Sequence, residues 1–355
     1  MTENAALAGL SDADRTAFAI YCRVRDEVVR MKGGDADGGA GPSRYWAQEL
    51  EQIDYLIDAS PLVVRKLRHH ALQLTGVRPY DYRGAGEQRT CFERRLQALV
   101  ALAGDTTLLV GEHDALGGFG FTIDGRRHNV DTLKFFEVLV GMQRAGILEA
   151  FGQRDRRRMV LEIGAGWGGF AYQFKKLFPK TTYIVIDFPE LFLFSATYLM
   201  TVFPGARVRF WRTGERMFEP SQETDFMFVP VQHADAVREA RPDLLVNLVS
   251  FQEMTTSQVE MYTELAAATG CPAIYSLNRD RSAYNDEIDS VSGILSRRYD
   301  LKEVSLLGSG YLKATKKDSA MSIEEARRTG RLDEAGYRHL VGALKSEVAR
   351  GSAGR

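Results

Sequence analysis

The sequence predicts an α/β fold in which a mainly helical N-terminal region precedes a Rossmann-like sheet of parallel strands with a C-terminal antiparallel hairpin. Two observations support this prediction. From residue 158 onward, short β-branched runs alternate with helical segments of about twelve residues, which is typical of strand–helix–strand units. Residues 44–150 instead carry apolar side chains mostly at three- to four-residue spacing, which indicates helices.

The composition indicates a globular protein that acts on a small molecule. Of 355 residues, 45% are hydrophobic and 26% charged, which excludes a disordered or fibrous chain. Lys and Arg number 46 against 47 Asp and Glu, so we expect no nucleic-acid partner. No apolar run is long enough to span a bilayer, and the opening MTENAALAGL does not resemble a signal peptide, so we expect a cytoplasmic protein. Its three cysteines are too far apart to indicate a disulfide framework or a zinc site.

We divide the chain into four regions. Residues 1–43 are predicted to form a helix and a flexible Gly-rich linker, GGDADGGAGPS. Residues 44–150 form a helical region that we expect to bind the substrate. Within it, LLVGEHDALGGFGFTIDG (108–125) is predicted to be a structured loop or a small hairpin, and its glycine-rich segment 111–121 is expected to act as a lid. Residues 151–317 form the sheet domain, and residues 318–355 are predicted to be a helical tail that includes RLDEAGYRHLVGALKSEVA.

Five segments of the sheet domain are predicted to be parallel strands. They are RMVLEIG (158–164), TTYIVIDF (181–188), DFMFVPV (225–231), DLLVNLVSF (243–251) and PAIYSLN (272–278). LKEVSLL and YLKATKK, on either side of Gly308-Ser309-Gly310, are predicted to form the antiparallel hairpin at the edge of the sheet.

A glycine-rich turn between the first strand and its helix, residues 164–169 (the glycine loop), predicts a cofactor site. Glycines let the backbone turn tightly and let a ligand approach, and the following helix offers free N–H groups. Gly164, Gly166 and Gly169 match the dinucleotide pattern G-x-G-x-x-G. Glu162 favours S-adenosylmethionine (SAM), because a carboxylate attracts an ammonium and a sulfonium but repels a pyrophosphate. We therefore predict SAM as the cofactor, with NAD or a simple chain turn as the alternatives.

Other residues are assigned to the same cofactor site. Asp187 ends the second strand, where a carboxylate accepts hydrogen bonds from ribose hydroxyls, although it could only cap the next helix. The adenine is expected at the end of the third strand, near Gln232, which could equally be solvated. The full set of predicted cofactor-binding residues is Glu162, Gly164, Gly166, Trp167, Gly168, Asp187, Phe188 and Gln232.

Five segments carry a resemblance to a known family. They are LRHHALQLTG (67–76), GEHDALGGFGF (111–121), LEIGAGWGGFAYQFKKLFP (161–179), IDFPELFLFSATYL (186–199) and SFQEM (250–254). With these segments, the chain resembles the bacterial sugar O-methyltransferases from residue 45 to residue 315. The resemblance implies a SAM-dependent enzyme that methylates a sugar hydroxyl in polysaccharide or secondary-metabolite biosynthesis.

Methylation of a hydroxyl benefits from a group that takes its proton. Glu253 follows the fourth strand and His113 lies in the predicted lid, so we predict that both are catalytic. An alternative is a divalent metal such as Mg²⁺, for which Glu253, Asn278 and Asp280 would supply oxygen ligands. We do not adopt this alternative and assign no residue to metal binding.

The acceptor side is predicted from four residues, each of which has a structural alternative. His70, Phe119, Asn278 and Arg279 are assigned to substrate binding. Three other functions stay open: N-methylation of an aminosugar or aminocyclitol, O-methylation of a phenol or polyketide in an apolar pocket that includes Phe119 and Phe121, and a non-catalytic SAM-binding module. The acceptor is a small molecule or glycoside, and a homodimer is left open.

Overall fold

The computed structural model describes residues 9–33, 41–84, 86–153, 155–218, 223–282, 285–306 and 336–346. The α-helices in this part of the chain are α1 (Asp12–Lys32), α2 (Arg44–Ile53), α3 (Pro61–Val64), α4 (Leu67–His70), α5 (Leu72–Thr75), α6 (Glu87–Ala103), α7 (Val130–Arg144), α8 (Ile147–Gly152), α9 (Gly169–Leu177), α10 (Phe192–Val202), α11 (Thr256–Ala268) and α12 (Val291–Leu295). The strands are β1 (Phe121–Ile123), β2 (Arg126–His128), β3 (Arg158–Ile163), β4 (Thr181–Asp187), β5 (Val208–Phe210), β6 (Phe226–Pro230), β7 (Leu244–Leu248), β8 (Ala273–Asn278), β9 (Tyr299–Glu303) and β10 (Arg338–Leu344).

An eight-stranded sheet with the order β5-β6-β4-β3-β7-β8-β10-β9 forms the centre of the molecule. Strands β3 to β8 pair in parallel, while β10 runs antiparallel between β8 and β9. The predicted α/β fold, with a parallel sheet, an antiparallel edge and a helical N-terminal region, is confirmed. Both faces are buried: Val160 and Val185 belong to one apolar cluster, and Leu161 and Ile184 belong to the other. Such strands are continuously apolar because helices cover each side.

The antiparallel pair is formed only in part by the residues predicted for it, because β9 includes residues 301–303 of LKEVSLL. Residues 311–317, as well as most of the predicted tail helices, lie outside the described residues. β9 pairs instead with β10, within a segment that was predicted to be helical. The prediction was wrong because the apolar spacing of this segment suits a helix, whereas two flanking strands offer it hydrogen bonds that local spacing does not show. Gly342 allows the fit, since a Cβ there would lie 2.6 Å from Ile274 and 2.8 Å from Tyr299.

Two further details differ from the predicted elements. Within the region predicted to be helical, the stretch 61–75 is divided into the three short helices α3, α4 and α5. β5 extends the sheet by one strand that was not predicted, because its three residues are too short to show a pattern. The division of the chain into four regions stays a prediction.

The N-terminal helix α1 is part of the main core. Ser11 caps it in a capping box, and Tyr21, Val24 and Val28 on its inner face are fully buried. The Tyr21 hydroxyl donates to the carbonyls of Leu56 and Ile57, so it also fastens the chain that follows α2. Helix α1 packs chiefly against α10, which covers the sheet. No helix among the described residues is long and apolar enough to cross a membrane.

Candidate functional site

The candidate site is a cavity of about 570 Å³ at the carboxyl edge of the parallel strands. Ligands of open α/β sheets bind at this edge. The sheet domain supplies the glycine loop, Asp187 at the end of β4 and the turn after β7, while the helical region supplies the opposite wall from α2, α5 and α7. A small, mostly apolar extension lined by Phe188, Val231 and Met254 joins the cavity at Trp46.

Two glycines give the glycine loop its shape for different reasons. Gly164 has φ +71°, and a Cβ on it would lie 2.2 Å from the Ser250 hydroxyl, so the loop and the turn after β7 touch here. Gly166 has φ +57° and no atom within 4 Å of the place of a Cβ, so its open side faces the cavity. The backbone N–H of Gly166 donates to Asp187 Oδ2 over 3.0 Å, which joins the loop to β4.

Two buried carboxyl groups face this loop. Burial raises the pKa of Glu162 to about 8, against the hydrogen bond of 2.9 Å that the Tyr183 hydroxyl donates to it. Burial also raises the pKa of Asp187 to about 7, although the N–H groups of Gly166 and Phe188 both donate to it. A buried carboxyl with a raised pKa in a cavity is poised for a cation or a hydrogen-bond donor.

The other predicted cofactor residues divide into those near the cavity and those behind it. The Trp167 indole lines the cavity, and the Arg68 guanidinium lies 3.5 Å from its ring centre. Phe188 lines the apolar extension and packs against Trp46, with ring centres 5.7 Å apart. Gly168 instead fits against Ser195 of α10. Gln232 follows Val231 in a short 3₁₀ helix but is not among the described residues that line either space.

The cavity wall that follows β7 and β8 contains Glu253 and Arg279. Glu253 ends a 3₁₀ turn after β7, and its carbonyl accepts a 2.7 Å hydrogen bond from Ser43. The Arg279 guanidinium lies 4.4 Å from the ring centre of Tyr337. Gln252 joins these elements, because its amide accepts from the Arg279 N–H at 2.9 Å and donates to the Tyr337 hydroxyl at 3.2 Å.

His113 does not join Glu253. Its Nδ1 accepts from the N–H of Ala115 at 3.1 Å, its ring packs edge-on to Tyr172, and it is not among the described residues that line the cavity. Burial lowers the pKa of His113. The predicted lid is packed rather than open, because Phe119 within it is buried and contacts the His69 and Tyr82 rings. The glycines of segment 111–121 indicate a mobile loop, but they do not show that Phe119 packs against its neighbours.

His70 and Asn278 are also placed away from the cavity wall. His70 shares a 2.6 Å hydrogen bond with Tyr55, and burial lowers its pKa. The Asn278 amide is buried, where it donates to Asn247 at 2.9 Å and to Ser276 at 2.8 Å. Of the four predicted substrate residues, Arg279 lines the cavity. His70, Phe119 and Asn278 are not among the described residues that line it.

The alternative metal ligands do not converge. Asn278 is committed to Asn247, and Asp280 accepts from the Ser292 N–H at 2.6 Å and pairs with Arg338 at 2.7 Å. Within the described ranges, no group of three or more His, Cys, Asp or Glu side chains is arranged to hold a metal ion.

Several residues at the cavity were not predicted from the sequence. Val249 has φ +65°, which is unusual for a β-branched residue and marks a constrained turn between β7 and Glu253. Tyr45, Trp46, Asp131 and Lys134 line the wall from the helical region. Single residues on α2 and α7 carry no local motif, so only the folded chain shows that they reach the site.

No family model matches this chain, and neither does any curated protein. Among solved structures, it is similar to phosphoethanolamine N-methyltransferase 2 of Haemonchus contortus in complex with S-adenosyl-L-methionine, at 11% identity and TM-score 0.33, over 61% of this chain and 57% of that one. It is also similar to WbdD (13% identity, TM-score 0.37, 58% of this chain and 39% of that one) and to the pyocyanin biosynthetic protein PhzM (11%, 0.32, 58% and 57%). The match thus spans less than two thirds of each of these proteins. The fold class follows from the strand order and not from these low-scoring similarities.

Proposed function

We propose that this chain is a SAM-dependent methyltransferase that methylates a hydroxyl group of a sugar. The observation that carries the proposal is one cavity in which the glycine loop, the carboxyls of Glu162 and Asp187, and Glu253 meet. This cavity lies at the sheet edge where such folds bind ligands. The open side of Gly166 and the two raised pKa values fit a ligand with positive charge and ribose hydroxyls.

Each part of the cofactor has a candidate partner on this surface. Glu162 would attract the ammonium and the sulfonium, Asp187 would accept from the ribose hydroxyls, and Phe188 and Val231 would pack against the adenine. Bound SAM supplies an electrophilic methyl group on a sulfonium, which a hydroxyl oxygen attacks as the carbon–sulfur bond breaks.

The chain's own residues act on the acceptor. Arg279 and Gln252 can hold hydroxyl groups, and both are fixed by their contacts with Tyr337. We assign removal of the hydroxyl proton to the Glu253 carboxylate, one of the carboxylates that line the cavity. The Ser43 hydroxyl donates to the Glu253 carbonyl, and the left-handed backbone of Val249 constrains the preceding residues. The backbone position of Glu253 is therefore well defined.

A second candidate, N-methylation of an aminosugar, is favoured by one observation. Glu253 and Glu49 both line the acceptor wall. Burial raises the pKa of the Tyr45 phenol, and the negative charges of Glu253 and Glu49 raise it further. Two carboxylates around an acceptor suit a protonated amine. The two candidates differ in the atom that is methylated.

The test is a mass-spectrometric screen of nucleotide sugars and aminoglycosides with methyl-labelled SAM. We expect one label per product, with fragmentation that places it on oxygen. Labelling on nitrogen would establish the second candidate. A chain that binds SAM but labels no acceptor in a broad screen would support a non-catalytic SAM-binding module.

Glu253→Gln separates catalysis from cofactor binding. We expect turnover to fall by at least about 100-fold, because the proton loses its acceptor, while SAM affinity changes by less than about twofold. Glu260→Gln is the matched control, since Glu260 lies on α11 and pairs with Arg297 at the surface. His113→Gln should stay active, as its ring lies outside the cavity. Full turnover in Glu253→Gln would remove Glu253 from the mechanism.

A further inference from the structure

A row of four charged side chains leads from the interior of the helical region to the cavity. We define this charged row as Glu112, Arg68, Asp131 and Lys134. Arg68 Nε lies 2.7 Å from Glu112 Oε1, and Arg68 Nη2 lies 2.9 Å from Asp131 Oδ2. Lys134 Nζ lies 3.3 Å from Asp131 Oδ1. The first three side chains are at most 2% exposed, whereas Lys134 is 13% exposed and opens to the cavity.

The two cations and the two carboxyl groups of the charged row cancel in formal charge, because Arg68 pairs with Glu112 and Lys134 pairs with Asp131. The Lys134 ammonium is the member of the row that carries positive charge at the cavity wall. Buried charges need such partners, because an unpaired one costs several kcal/mol. The Lys134 ammonium also lies 4.9 Å from the Phe135 ring centre, which limits where it can move.

Lys134 and Glu162 line the same cavity beside the glycine loop. Both side chains line the cavity together with Gly166, and the positive charge of Lys134 lowers the pKa of Glu162 against the larger effect of burial. A cation on α7 and a carboxyl on β3 thus line one cavity, which suits a ligand that carries both charges.

We propose that Lys134 binds the carboxylate of the amino-acid end of the cofactor, while Glu162 binds its ammonium. This inference rests on the proposed function. It gives the helical region a second task, because α7 completes the cofactor site and does more than enclose the acceptor. Asp131 and Arg68 act as positioning residues that hold the Lys134 ammonium at the wall.

The experiment compares two ligands that differ in the amino-acid end. S-adenosylhomocysteine has this end, and 5′-methylthioadenosine lacks it. Isothermal titration of the full chain with each ligand is carried out for the parent, Lys134→Met, Lys134→Arg and Lys176→Met, the last a control at an exposed lysine of α9. We expect Lys134→Met to weaken S-adenosylhomocysteine about 10- to 100-fold and 5′-methylthioadenosine by less than about twofold. Lys134→Arg should retain most of the affinity, and Lys176→Met all of it.

Other results overturn the inference in distinct ways. Equal weakening of both ligands by Lys134→Met would show that Lys134 only supports the shape of the site. Unchanged binding of S-adenosylhomocysteine would show that its carboxylate lies elsewhere. If Lys134→Met does not fold, Lys134→Gln takes its place with the same expectation. A parent chain that binds neither ligand would refute the proposed function itself.

Discussion

Glu162 is the residue whose ionisation the structure most clearly ties to ligand binding. It is buried beside the glycine loop, and burial raises its pKa to about 8. The Tyr183 hydroxyl and the Lys134 ammonium favour the charged form of Glu162, but their effect is smaller than that of the desolvation of the carboxylate. Asp187 behaves in the same way, with a pKa raised to about 7. Near neutral pH, the Glu162 and Asp187 carboxyls are therefore partly or mostly protonated, and a cationic ligand would release these protons.

Glu162→Gln should weaken SAM binding and flatten its pH dependence. Only the ionised carboxylate attracts an ammonium and a sulfonium, and Glu162 is mostly protonated below its pKa of about 8. The dissociation constant of the parent chain should thus fall by up to about tenfold per unit as the pH rises from about 6 to 7.5. Isothermal titration across this range measures the effect. Glu149→Gln, at an exposed position of α8, should keep the parent profile, whereas a flat parent profile would argue against Glu162 as the partner of the ammonium.

The same variant should change how stability depends on pH. The folded chain keeps a proton on Glu162 up to a pH of about 8, while the unfolded chain loses it near 4.5. The free energy of unfolding therefore decreases as the pH rises between these values. In urea denaturation at several pH values, Glu162→Gln should show a decrease that is smaller by on the order of 1–4 kcal/mol. An identical decrease in both proteins would contradict the raised pKa.

At the level of elements, the glycine loop and the turn after β7 support each other. Asn247 donates to the carbonyl of Ile163 at 2.8 Å and to the Ser250 hydroxyl at 2.8 Å. Ser250 also lies against Gly164, and Val249 has a left-handed backbone that directs the chain toward Glu253. The end of β7 thus determines the position of both the glycine loop and the turn that carries Glu253.

Gly164→Ala and Gly166→Ala should have different effects. Both glycines have positive φ, which costs an alanine roughly 1–2 kcal/mol. Only Gly164 would also press its Cβ against Ser250, so Gly164→Ala should lose more stability than Gly166→Ala in urea denaturation. Gly166→Ala should mainly weaken SAM binding, because its methyl group enters the cavity. Equal stability of the two variants would contradict the contact with Ser250.

At the scale of the whole molecule, Arg68 joins the helical region to the sheet domain. Its guanidinium packs on Trp167 of the glycine loop and on Phe119, with ring centres at 3.5 Å and 5.0 Å. Two buried carboxylates, Glu112 and Asp131, hold it from the helical side. The cavity lies between the two regions, so a contact that fixes one against the other also fixes the distance across the site.

Arg68→Met should destabilise the chain by about 3–5 kcal/mol, because Glu112 stays buried without its cation and Asp131 keeps only Lys134 as a partner. Chemical denaturation measures the loss. Arg89→Met is the control: Arg89 pairs with Glu93 on α6 at 2.8 Å, both side chains are more than one third exposed, and the expected cost is at most about 1 kcal/mol. Similar losses in the two variants would show that the charged row contributes no more than a surface pair.

The candidate site was only partly predictable from the sequence. Glu162, Gly166, Asp187 and Glu253 lie at strand ends or in a strand–helix turn, where local patterns indicate which sheet edge they share. His113 shows the limit of such reasoning. A histidine in a glycine-rich segment suits a mobile base, but the packing of its neighbours places its ring outside the cavity.

The sequence by itself determined the parallel sheet, the glycine loop and the carboxyls at the strand ends, because strand and turn patterns depend on residues close together in the chain. The tertiary structure alone decided which distant residues complete the molecule. β10 is a strand because β8 and β9 offer it hydrogen bonds on both sides. Lys134 lines the cavity from α7, whose Asp131 pairs with Arg68, and Arg68 in turn packs on Trp167 of the glycine loop. Such contacts gain their free energy from partners far away in sequence, so no local pattern records them.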